Sequence, residues 1–597
     1  MATKHPVTDP IFNAHTHVFK SEDTPSYLAK KFIVWPFYYL INTHVVIRIS
    51  KWIRRQQQRQ YTFAHKNKVW QKYMSSKSPI NRFLRRLILL MANIVFFFYI
   101  IYIFQPLLSF WPVEKPLERF YDNETVKQFL IFPKRFHYLS IILVLFILFK
   151  NIRNTTLKFI WGQLEKRLGK EWLALKLRYI NLLRYARYAT MSSIFSKLRA
   201  QYPKGSKFVV LPMDMEFMKA GKVKRSYRAQ MDALLQIKHN NKDAIYPFLF
   251  AHPKRMKQVI KVNENGVDKD LPHFDGSLNR KTGKYTLNDC EIKRYFDKGC
   301  AGVKIYPATG YYVFDKALIP LWLYCAQNQI PITTHCSVGP IFYRGNLSKL
   351  NEDPKKRIDQ HPIFDENIGE TEPTKLRLPL HKNSIFQRNF THPLNYCCLL
   401  EEHFLKEVLY YHNDKTLDDL FGYDRDNPDK KLDRNLSKLK INMAHYGGAE
   451  NWDQFLNQDR YDYANDFINK PGAILELPTK LKNINILYDY WHNVDWFSLI
   501  SSMIVNYDNI YADVSYTSHD LKYLNLLSEA LDNKKIAKKV LFGTDFYVVS
   551  NHKSEKQYWI DMQNSLGIEK WKKIADENPR QFLNSSYTKH LIKTQQN

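Results

Sequence analysis

The sequence predicts an α/β protein: a (β/α)8 TIM barrel with a large helical, partly transmembrane insertion between its first and second strands. Eight short apolar or β-branched runs end at or near a histidine, a lysine or an acidic residue, and most are separated by stretches of helical periodicity. Alternating strands and helices are typical of a parallel sheet, and eight such units close a barrel. The eight runs are Ile11–His17, Lys207–Asp214, Ala244–His252, Gly302–Tyr306, Pro331–His335, Lys440–His445, Asn509–Asp513 and Val540–Asp545.

The composition is that of a packed protein. Of the 597 residues, 45% are hydrophobic, 15% are aromatic and 24% are charged, which excludes a disordered chain. The six cysteines include no CxxC pair, so the sequence predicts neither a disulfide framework nor a zinc ribbon. A reducing compartment is therefore expected. The first residues lack the apolar core of a signal peptide.

The net charge of +32, from 89 Lys+Arg against 57 Asp+Glu, indicates an anionic partner. Residues 51–86 carry eleven basic residues and residues 150–187 carry ten. No RNP, zinc-finger or helix-turn-helix pattern accompanies them, and both segments adjoin apolar runs. We therefore expect a membrane with anionic lipid headgroups, and not nucleic acid, as the partner of this region.

These basic and apolar residues lie in one insertion, residues 21–206, which divides the barrel into residues 1–20 and 207–597. The run Leu87–Leu108 has 22 residues without a charge, enough for a helix to cross a hydrocarbon core of about 30 Å. The run Tyr138–Phe149 has twelve residues and spans only if flanking residues contribute or the bilayer thins. The alternative is that both runs are buried helices of a soluble core.

The distribution of basic residues predicts the orientation. A hairpin of the two runs keeps both basic segments on the cytoplasmic side, as the positive-inside rule requires. The first two strands belong to one sheet, so the insertion must begin and end on the same side of the membrane. The sequence therefore predicts a membrane-associated protein with its barrel on the cytoplasmic face. Polar segments at about 255–290 and 345–440 are expected to be loops over the barrel mouth.

Five side chains of metal-binding type lie at the carboxyl ends of predicted strands. His15 and His17 are two residues apart on a strand, so both are expected to face the barrel interior. His335, His445 and Asp545 end the fifth, sixth and eighth strands. Imidazole and carboxylate groups gathered at one barrel mouth indicate a divalent metal site, and catalysis in such barrels takes place at this end.

The segments around these residues resemble the amidohydrolase superfamily, and more closely its amidohydrolase-related branch, which includes aminocarboxymuconate-semialdehyde decarboxylase. The resemblance covers strands one and four to eight. It implies that His15, His17, His335 and Asp545 bind a catalytic metal, most often zinc. It also implies that Asp545 relays a proton, and that His445 hydrogen-bonds the attacking water or binds a second metal. The matching segments are HTH at 15–17, GVKIYP at 302–307, PITTHCS at 331–337, NMAHYGG at 442–448, NIYADVS at 509–515, LFGTDF at 541–546 and ENPRQFL at 577–583.

Lys304 has two interpretations. In binuclear members of the family a lysine of the fourth strand is carboxylated and bridges two metals, which would imply a second metal here. The alternative is a buried lysine held by a neighbouring carboxylate or carbonyl, and we expect this arrangement with one zinc. Asp513 is expected to support the site from below, and Cys336 is expected to point away from the interior and to pack.

Substrate contacts are expected from further polar residues near the barrel mouth. Asp214 and His252 end the second and third strands and either contact substrate or cap loops. Tyr306, Tyr311 and Arg344 could bind an anionic group, although solvent-facing roles fit equally well.

The predicted function is a metal-dependent hydrolase, in which metal-activated water attacks an amide, a lactone or a related bond of a small molecule. The first alternative is non-oxidative decarboxylation of an unsaturated or aromatic carboxylic acid by the same residues. An alternative of another class is a non-catalytic, membrane-anchored binding protein. The sequence leaves a homo-oligomer open.

Overall fold

All eight predicted strands are present and form one parallel sheet that nearly closes into a barrel. The computed structural model describes residues 9–25, 190–264, 267–350, 357–366, 374–457, 490–549 and 552–588. The strands in these residues are β1 (Phe12–Thr16), β2 (Lys207–Val210), β3 (Ile245–Phe250), β4 (Val259–Glu264), β5 (Val267–Pro272), β6 (Gly276–Asn279), β7 (Lys284–Leu287), β8 (Gly302–Ile305), β9 (Pro331–His335), β10 (Gln360–Glu366), β11 (Thr374–Arg377), β12 (Lys440–Ala444), β13 (Ile510–Asp513) and β14 (Val540–Leu541).

The barrel sheet has the strand order β1-β2-β3-β8-β9-β12-β13-β14. Hydrogen bonds also join the first strand to the segment that follows the last one. The Ala14 amide donates to the Phe542 carbonyl at 2.8 Å, and the Thr544 amide donates to the His15 carbonyl at 3.0 Å. These bonds bring both ends of the sheet together and place β1 beside the residues that follow β14.

A bulge in β1 determines what faces the interior. Three residue steps along β1, from Asn13 to Thr16, match only two along β2, and such a shift changes the face that successive side chains present. Phe12 belongs to an inner apolar cluster with Phe248. In a regular strand His15, three residues later, would point to the opposite face, yet its ring also faces the interior and hydrogen-bonds Asp513. The bulge therefore allows one short strand to contribute both to the apolar interior and to the polar mouth.

Helices cover the outside of the barrel, and their first turns are capped by polar side chains. Ser226 accepts a hydrogen bond from the Ala229 amide, Asp495 from the Ser498 amide and Ser554 from the Gln557 amide. The helices of the described residues are α1 (Met191–Arg199), α2 (Tyr227–Asn240), α3 (Pro253–Met256), α4 (Glu291–Asp297), α5 (Ile319–Asn328), α6 (Asn383–Thr391), α7 (Cys397–Leu400), α8 (Glu402–His412), α9 (Lys415–Phe421), α10 (Ala449–Asn457), α11 (Trp496–Asn506), α12 (Lys522–Ala530), α13 (Lys534–Ala537), α14 (Phe546–Val549), α15 (Glu555–Lys572) and α16 (Asn578–Leu583).

The two polar segments expected to be loops contain regular structure, so this prediction was wrong in detail. Segment 255–290 forms two antiparallel hairpins, β4–β5 and β6–β7. Segment 345–440 contains the β10–β11 hairpin and helices α6 to α9. The helices form because each buries apolar side chains against the protein core, such as Phe390 in α6, Leu405 in α8 and Phe421 in α9. The polar composition that suggested a loop comes from the acidic stretch before these helices.

The predicted membrane spans, residues 87–108 and 138–149, lie outside the described residues. Within the described ranges, no helix combines the length and the apolar character needed to cross a bilayer. The described residues of the insertion, 21–25 and 190–206, include helix α1, which is capped by the Thr190 hydroxyl. The membrane association and the cytoplasmic orientation therefore stay predictions.

A buried carboxyl group connects the end of the insertion to the barrel. Glu555, the first residue of α15, is fully buried and its carboxyl group accepts a hydrogen bond of 2.5 Å from the Tyr202 hydroxyl. The Asn13 side-chain amide donates to the same hydroxyl and to the Thr544 hydroxyl, both at 2.9 Å. Burial raises the pKa of Glu555 to about 7.

This raised pKa predicts a pH-dependent stability. The folded protein holds the proton of Glu555 more tightly than the unfolded chain does, so the stabilisation is complete below pH 4.5 and is lost as the pH rises through about 7. A shift of this size corresponds to about 3 kcal/mol. Urea unfolding at pH 5 and pH 8 should therefore show a larger loss of stability in the native protein than in Glu555→Gln. An equal loss in both proteins would show that Glu555 titrates normally.

Candidate metal centre

The predicted metal-binding residues meet at the carboxyl ends of the barrel strands. His335 is the last residue of β9, His445 follows β12 directly, and Asp545 lies four residues after β14. His15 is in β1 and His17 follows it. The four imidazoles are buried, and the Asp545 side chain is 14% exposed.

The His15 and His17 rings are held in a defined orientation. The Nδ1 atom of His15 donates to the Asp513 carboxylate at 2.9 Å, and the Nδ1 atom of His17 donates to the Leu211 carbonyl at 2.8 Å. Each Nε2 atom therefore carries a lone pair, and the two Nε2 atoms lie 3.3 Å apart. Two nitrogens bound to one tetrahedral zinc at about 2.0–2.1 Å would be separated by about 3.4 Å. This pair of acceptors fits a divalent cation.

His445 and His335 form a second pair beside the first. The Nδ1 atom of His445 lies 3.1 Å from the Ser515 carbonyl, to which it donates. Its Nε2 atom lies 3.0 Å from the Nδ1 atom of His335. The Tyr306 hydroxyl lies 3.0 Å from the Nε2 atom of His335 and donates to it, and the two rings stack at 4.0 Å. His335 is thereby engaged on both ring nitrogens.

Three of the predicted residues form a group whose side chains could together hold a metal ion. One ligand atom from each of His15, His445 and Asp545 lies within 4.8 Å of the others. His17 adjoins this group, because its Nε2 atom lies 3.7 Å from an Asp545 oxygen. His335 reaches the group through His445. The structure thus brings all five residues together, and the assignment of each one as ligand or proton carrier stays a prediction.

Asp513 organises the imidazoles from below. Its carboxylate accepts hydrogen bonds from the His15 ring, from the Asn442 amide group at 2.7 Å and from the His445 backbone amide at 3.2 Å. The Ser515 hydroxyl and backbone amide also donate to it. Although burial alone would raise its pKa, these donors, with His15 first, hold the pKa of Asp513 well below its usual range.

The sequence predicted a supporting role for Asp513 but did not identify Asn442 and Ser515 as its partners. Both lie in the segments that carry the family resemblance, NMAHYGG and NIYADVS. Asn442 precedes His445 by three residues, and Ser515 follows Asp513 by two. Their positions beside a buried acid were the available signal, but only the hydrogen bonds across β12 and β13 identify their role.

The protonation states suit metal binding. Burial lowers the pKa of His17 and of His335 well below the usual histidine value and lowers that of His445 to about 3, so these rings are neutral at physiological pH. Burial raises the pKa of Asp545 to about 6. Neutral imidazole is the form that binds a metal, and a carboxyl group that titrates near neutrality can exchange a proton with a substrate.

The backbone is strained at two of the candidate metal ligands, His445 and Asp545, and at Tyr446, which follows His445. His445, Tyr446 and Asp545 have φ angles of +69°, +47° and +52°, in the left-handed region. Residues other than glycine occupy this region at a cost of about 1–3 kcal/mol each, and such strain clusters at functional sites. The abrupt turn after β12 and β14 directs the His445 and Asp545 side chains toward the barrel axis.

Gly543 leaves room for His15. A Cβ atom at this position would lie 2.6 Å from the His15 Cβ atom and 3.2 Å from the Ser515 Cβ atom. Real Cβ atoms do not approach so closely, so a larger residue would displace His15 from its hydrogen bond with Asp513.

Two of the expected substrate residues are engaged in local structure. Asp214 is buried and accepts from Arg255, with 2.9 Å between its Oδ2 atom and the Nε atom. Arg255 also donates to Glu216 at 2.6 Å. The Nδ1 atom of His252 accepts from the Lys254 amide at 3.1 Å and caps α3. Contact of either residue with a substrate stays a prediction.

The remaining expected substrate residues differ in their distance from the centre. The Tyr306 hydroxyl contacts His335, as described, and the Tyr311 hydroxyl accepts from the Tyr306 backbone amide at 3.0 Å. Arg344 is half-buried, and its guanidinium lies 4.7 Å from the centre of the Phe342 ring. Tyr306 is therefore the one of these three that touches the histidine group directly in the described part of the chain.

Lys304 does not have the partner that was expected. Its side chain is fully buried, and in the described part of the chain its Nζ atom makes no hydrogen bond and has no carboxylate oxygen within 4.0 Å. Burial lowers the pKa of Lys304 to about 8, which Asp513 and Asp545 partly offset. The amine is therefore mostly protonated at pH 7. Cys336 is buried and packs as expected, with its thiol 3.5 Å from the Thr391 carbonyl.

We expect Gly543→Ala to lose metal, because the added methyl group displaces His15. Gly567→Ala is the control, since no atom lies within 4 Å of a Cβ at that position and the backbone strain from its φ of +75° does not involve His15. Metal content per folded chain, measured by mass spectrometry after dialysis against manganese or zinc, should fall in the first variant and stay unchanged in the second. Full metal content in Gly543→Ala would contradict the close approach to His15.

The backbone strain at Asp545 gives a further prediction. Glycine adopts a φ of +52° without penalty, whereas alanine does not. Both Asp545→Gly and Asp545→Ala remove the carboxylate, so they differ mainly in this penalty. The metal-free glycine variant should be more stable than the alanine variant by about 1 kcal/mol in urea unfolding. Equal stability would indicate that the backbone relaxes.

No protein-family model and no curated protein matches the chain. Solved structures similar to it include an uncharacterized TIM-barrel protein from Bordetella bronchiseptica, at 12% identity over 70% of this chain and 92% of that chain, with a TM-score of 0.29. They also include 5-carboxyvanillate decarboxylase from Sphingomonas paucimobilis, at 11% identity over 66% and 82% of the two chains, with a TM-score of 0.30. A dihydroxybenzoic acid decarboxylase from Polaromonas sp., solved with manganese and 2-nitroresorcinol, has 13% identity over 70% and 90%, with a TM-score of 0.31.

Proposed function

We propose that this protein is a metal-dependent enzyme that removes CO2 from a small carboxylic acid without oxidation. The observation that carries the proposal is the pair of Nε2 atoms of His15 and His17, 3.3 Å apart, both with lone pairs because their Nδ1 atoms donate elsewhere. Two buried acceptors facing each other are unfavourable unless a cation lies between them. Asp545 adds a carboxylate ligand, and His445 adds an imidazole ligand when its Nε2 atom is released from His335.

The charge of the site favours an acidic substrate. Among the described residues, the buried or nearly buried charges around the histidines are those of Lys304, Asp513 and Asp545, and the buried Asp214–Arg255 ion pair adds no net charge. With Asp545 ionised, one lysine, two carboxylates and a divalent cation leave one uncompensated positive charge, and protonation of Asp545 leaves two. A substrate carboxylate neutralises it, whereas a neutral amide or lactone does not. We therefore place decarboxylation before hydrolysis, in accord with the resemblance of the motifs to the decarboxylase-containing branch.

A divalent cation bound here would polarise substrate oxygen atoms and accept the negative charge that develops as CO2 leaves. The side chains of the chain itself handle the proton. When the bond between the carboxylate and its carbon breaks, the electron pair stays on that carbon, which then takes a proton. Asp545, with a pKa near 6, is positioned to supply it, and the hydrogen-bonded row of Tyr306, His335 and His445 lies beside it.

Hydrolysis of an amide or a lactone is the second candidate. The supporting observation is the Asp545 carboxylate, which lies 3.7 Å from the Nε2 atom of His17 and could instead accept a proton from an attacking water. The same metal ligands and the same proton-carrying carboxyl group serve both reactions, so the substrate determines which reaction takes place.

A substrate screen with defined variants tests the proposal. Protein reconstituted with manganese or zinc should release CO2 from at least one aromatic or unsaturated acid, and chelation should abolish the release. Asp545→Asn should lower the rate about 100-fold or more, because a general acid is removed. Asp508→Asn, which changes an exposed aspartate before β13, is the control and should keep the full rate.

Two results would contradict the proposal. Turnover of amides or lactones, with no release of CO2 from any acid, would favour the hydrolase. Folded protein that holds far less than one metal ion per chain would leave the non-catalytic binding protein as the explanation.

A further inference from the structure

Lys304 has a buried amino group that makes no hydrogen bond in the described part of the chain. It lies in β8, where its Cα atom pairs with Phe250 of β3 and with Thr333 of β9. Its Nζ atom is buried without a hydrogen-bond acceptor among the described residues, although the Tyr306 ring lies 5.7 Å away. A buried ammonium group without an acceptor costs several kcal/mol, so an unpaired lysine is not retained for stability.

A second buried lysine in the same barrel shows that the fold can provide acceptors. Lys440, the first residue of β12, lies at the opposite end of the barrel, and its Nζ atom donates to the Asn584 carbonyl at 2.6 Å and contacts the Gln581 carbonyl at 3.5 Å. Lys440 is thus satisfied by the protein itself. Lys304 differs because no described residue accepts a hydrogen bond from its Nζ atom.

The acids near Lys304 are engaged elsewhere. Asp513 and Asp545 influence the Lys304 amine electrostatically, but neither lies within 4.0 Å of it. The Asp513 carboxylate already accepts from His15, Asn442 and Ser515. The described residues therefore offer Lys304 no acceptor, and its electrostatic influence on His17, His335 and His445 indicates that its amine lies near the candidate metal centre.

We propose that Lys304 binds the carboxylate of the substrate and so determines specificity for anionic molecules. The buried ammonium group supplies three donors directed at the barrel interior, and a carboxylate oxygen that reaches it also lies next to the histidine and aspartate group. This inference rests on the proposed function and goes beyond it, because it assigns the recognition of the negative charge to one residue. It also explains why that residue has no hydrogen-bond partner in the described ranges of the chain.

Binding of formate, the smallest carboxylate, tests the inference without knowledge of the remaining substrate. Formate and its neutral analogue formamide are titrated into manganese-loaded protein, and binding is followed by water proton relaxation; the metal-free protein is titrated by calorimetry. Lys304→Met should weaken formate binding about tenfold or more, since a charge-assisted hydrogen bond is lost. Formamide binding should not change. Lys440→Met, the matched control, should bind formate as the native protein does.

The outcomes separate this inference from the proposed function. Equal affinity of Lys304→Met and native protein for formate, or no binding of formate to the native protein, would overturn the role of Lys304. Loss of metal from Lys304→Met, together with a carbamate signal in 13C spectra of native protein under labelled CO2, would show that Lys304 is instead a carboxylated metal ligand. Absence of metal from native protein would defeat the proposed function, whereas the calorimetric comparison of formate binding would still test Lys304.

Discussion

The candidate site depends on one buried carboxylate. Asp513 connects three neighbouring parts of the barrel: it accepts from the His15 ring of β1, from Asn442 of β12 and from Ser515 just after β13. Its charge is compensated by donors and not by a direct ion pair with a lysine or arginine among the described residues. Because it holds the Nδ1 proton of His15, it also determines which nitrogen of that ring faces the centre. The same principle orients His17 through the Leu211 carbonyl.

The backbone around these side chains is shaped for the site at some cost to stability. The left-handed conformations of His445 and Asp545 and the bulge in β1 each direct a side chain inward where a regular strand would not. Gly543 contributes by the absence of a side chain, which leaves space for His15. A fold selected for stability alone would relax these features. Their coincidence at one end of the barrel is an argument for function that is independent of the residue types.

Charge at the barrel mouth links the metal centre to the choice of substrate. The rings of His17, His335 and His445 are neutral because burial lowers their pKa values, and the charge balance then depends mainly on Lys304, Asp513 and Asp545. Near the proposed metal ligands, the Lys304 ammonium group has no hydrogen-bond partner among the described residues, so its N–H donors stay available. In the function proposed above, a small acid would satisfy both the cation and these donors, and this double requirement would exclude neutral molecules of similar shape.

The sequence by itself determined the order of strands and the residue types at their ends. Apolar runs of the right length predict buried strands, and the carboxyl ends of parallel strands necessarily meet, so His15, His335, His445 and Asp545 could be grouped without coordinates. Only the tertiary structure decided how they are used. The His15–Asp513 hydrogen bond joins residues 498 positions apart, the Asn442–Asp513 bond joins residues 71 apart, and the register shift in β1 depends on its pairing with β2. The lack of an acceptor for Lys304 among the described residues depends likewise on which strands surround it. No local pattern specifies such contacts, because they result from the packing of the closed barrel as a whole.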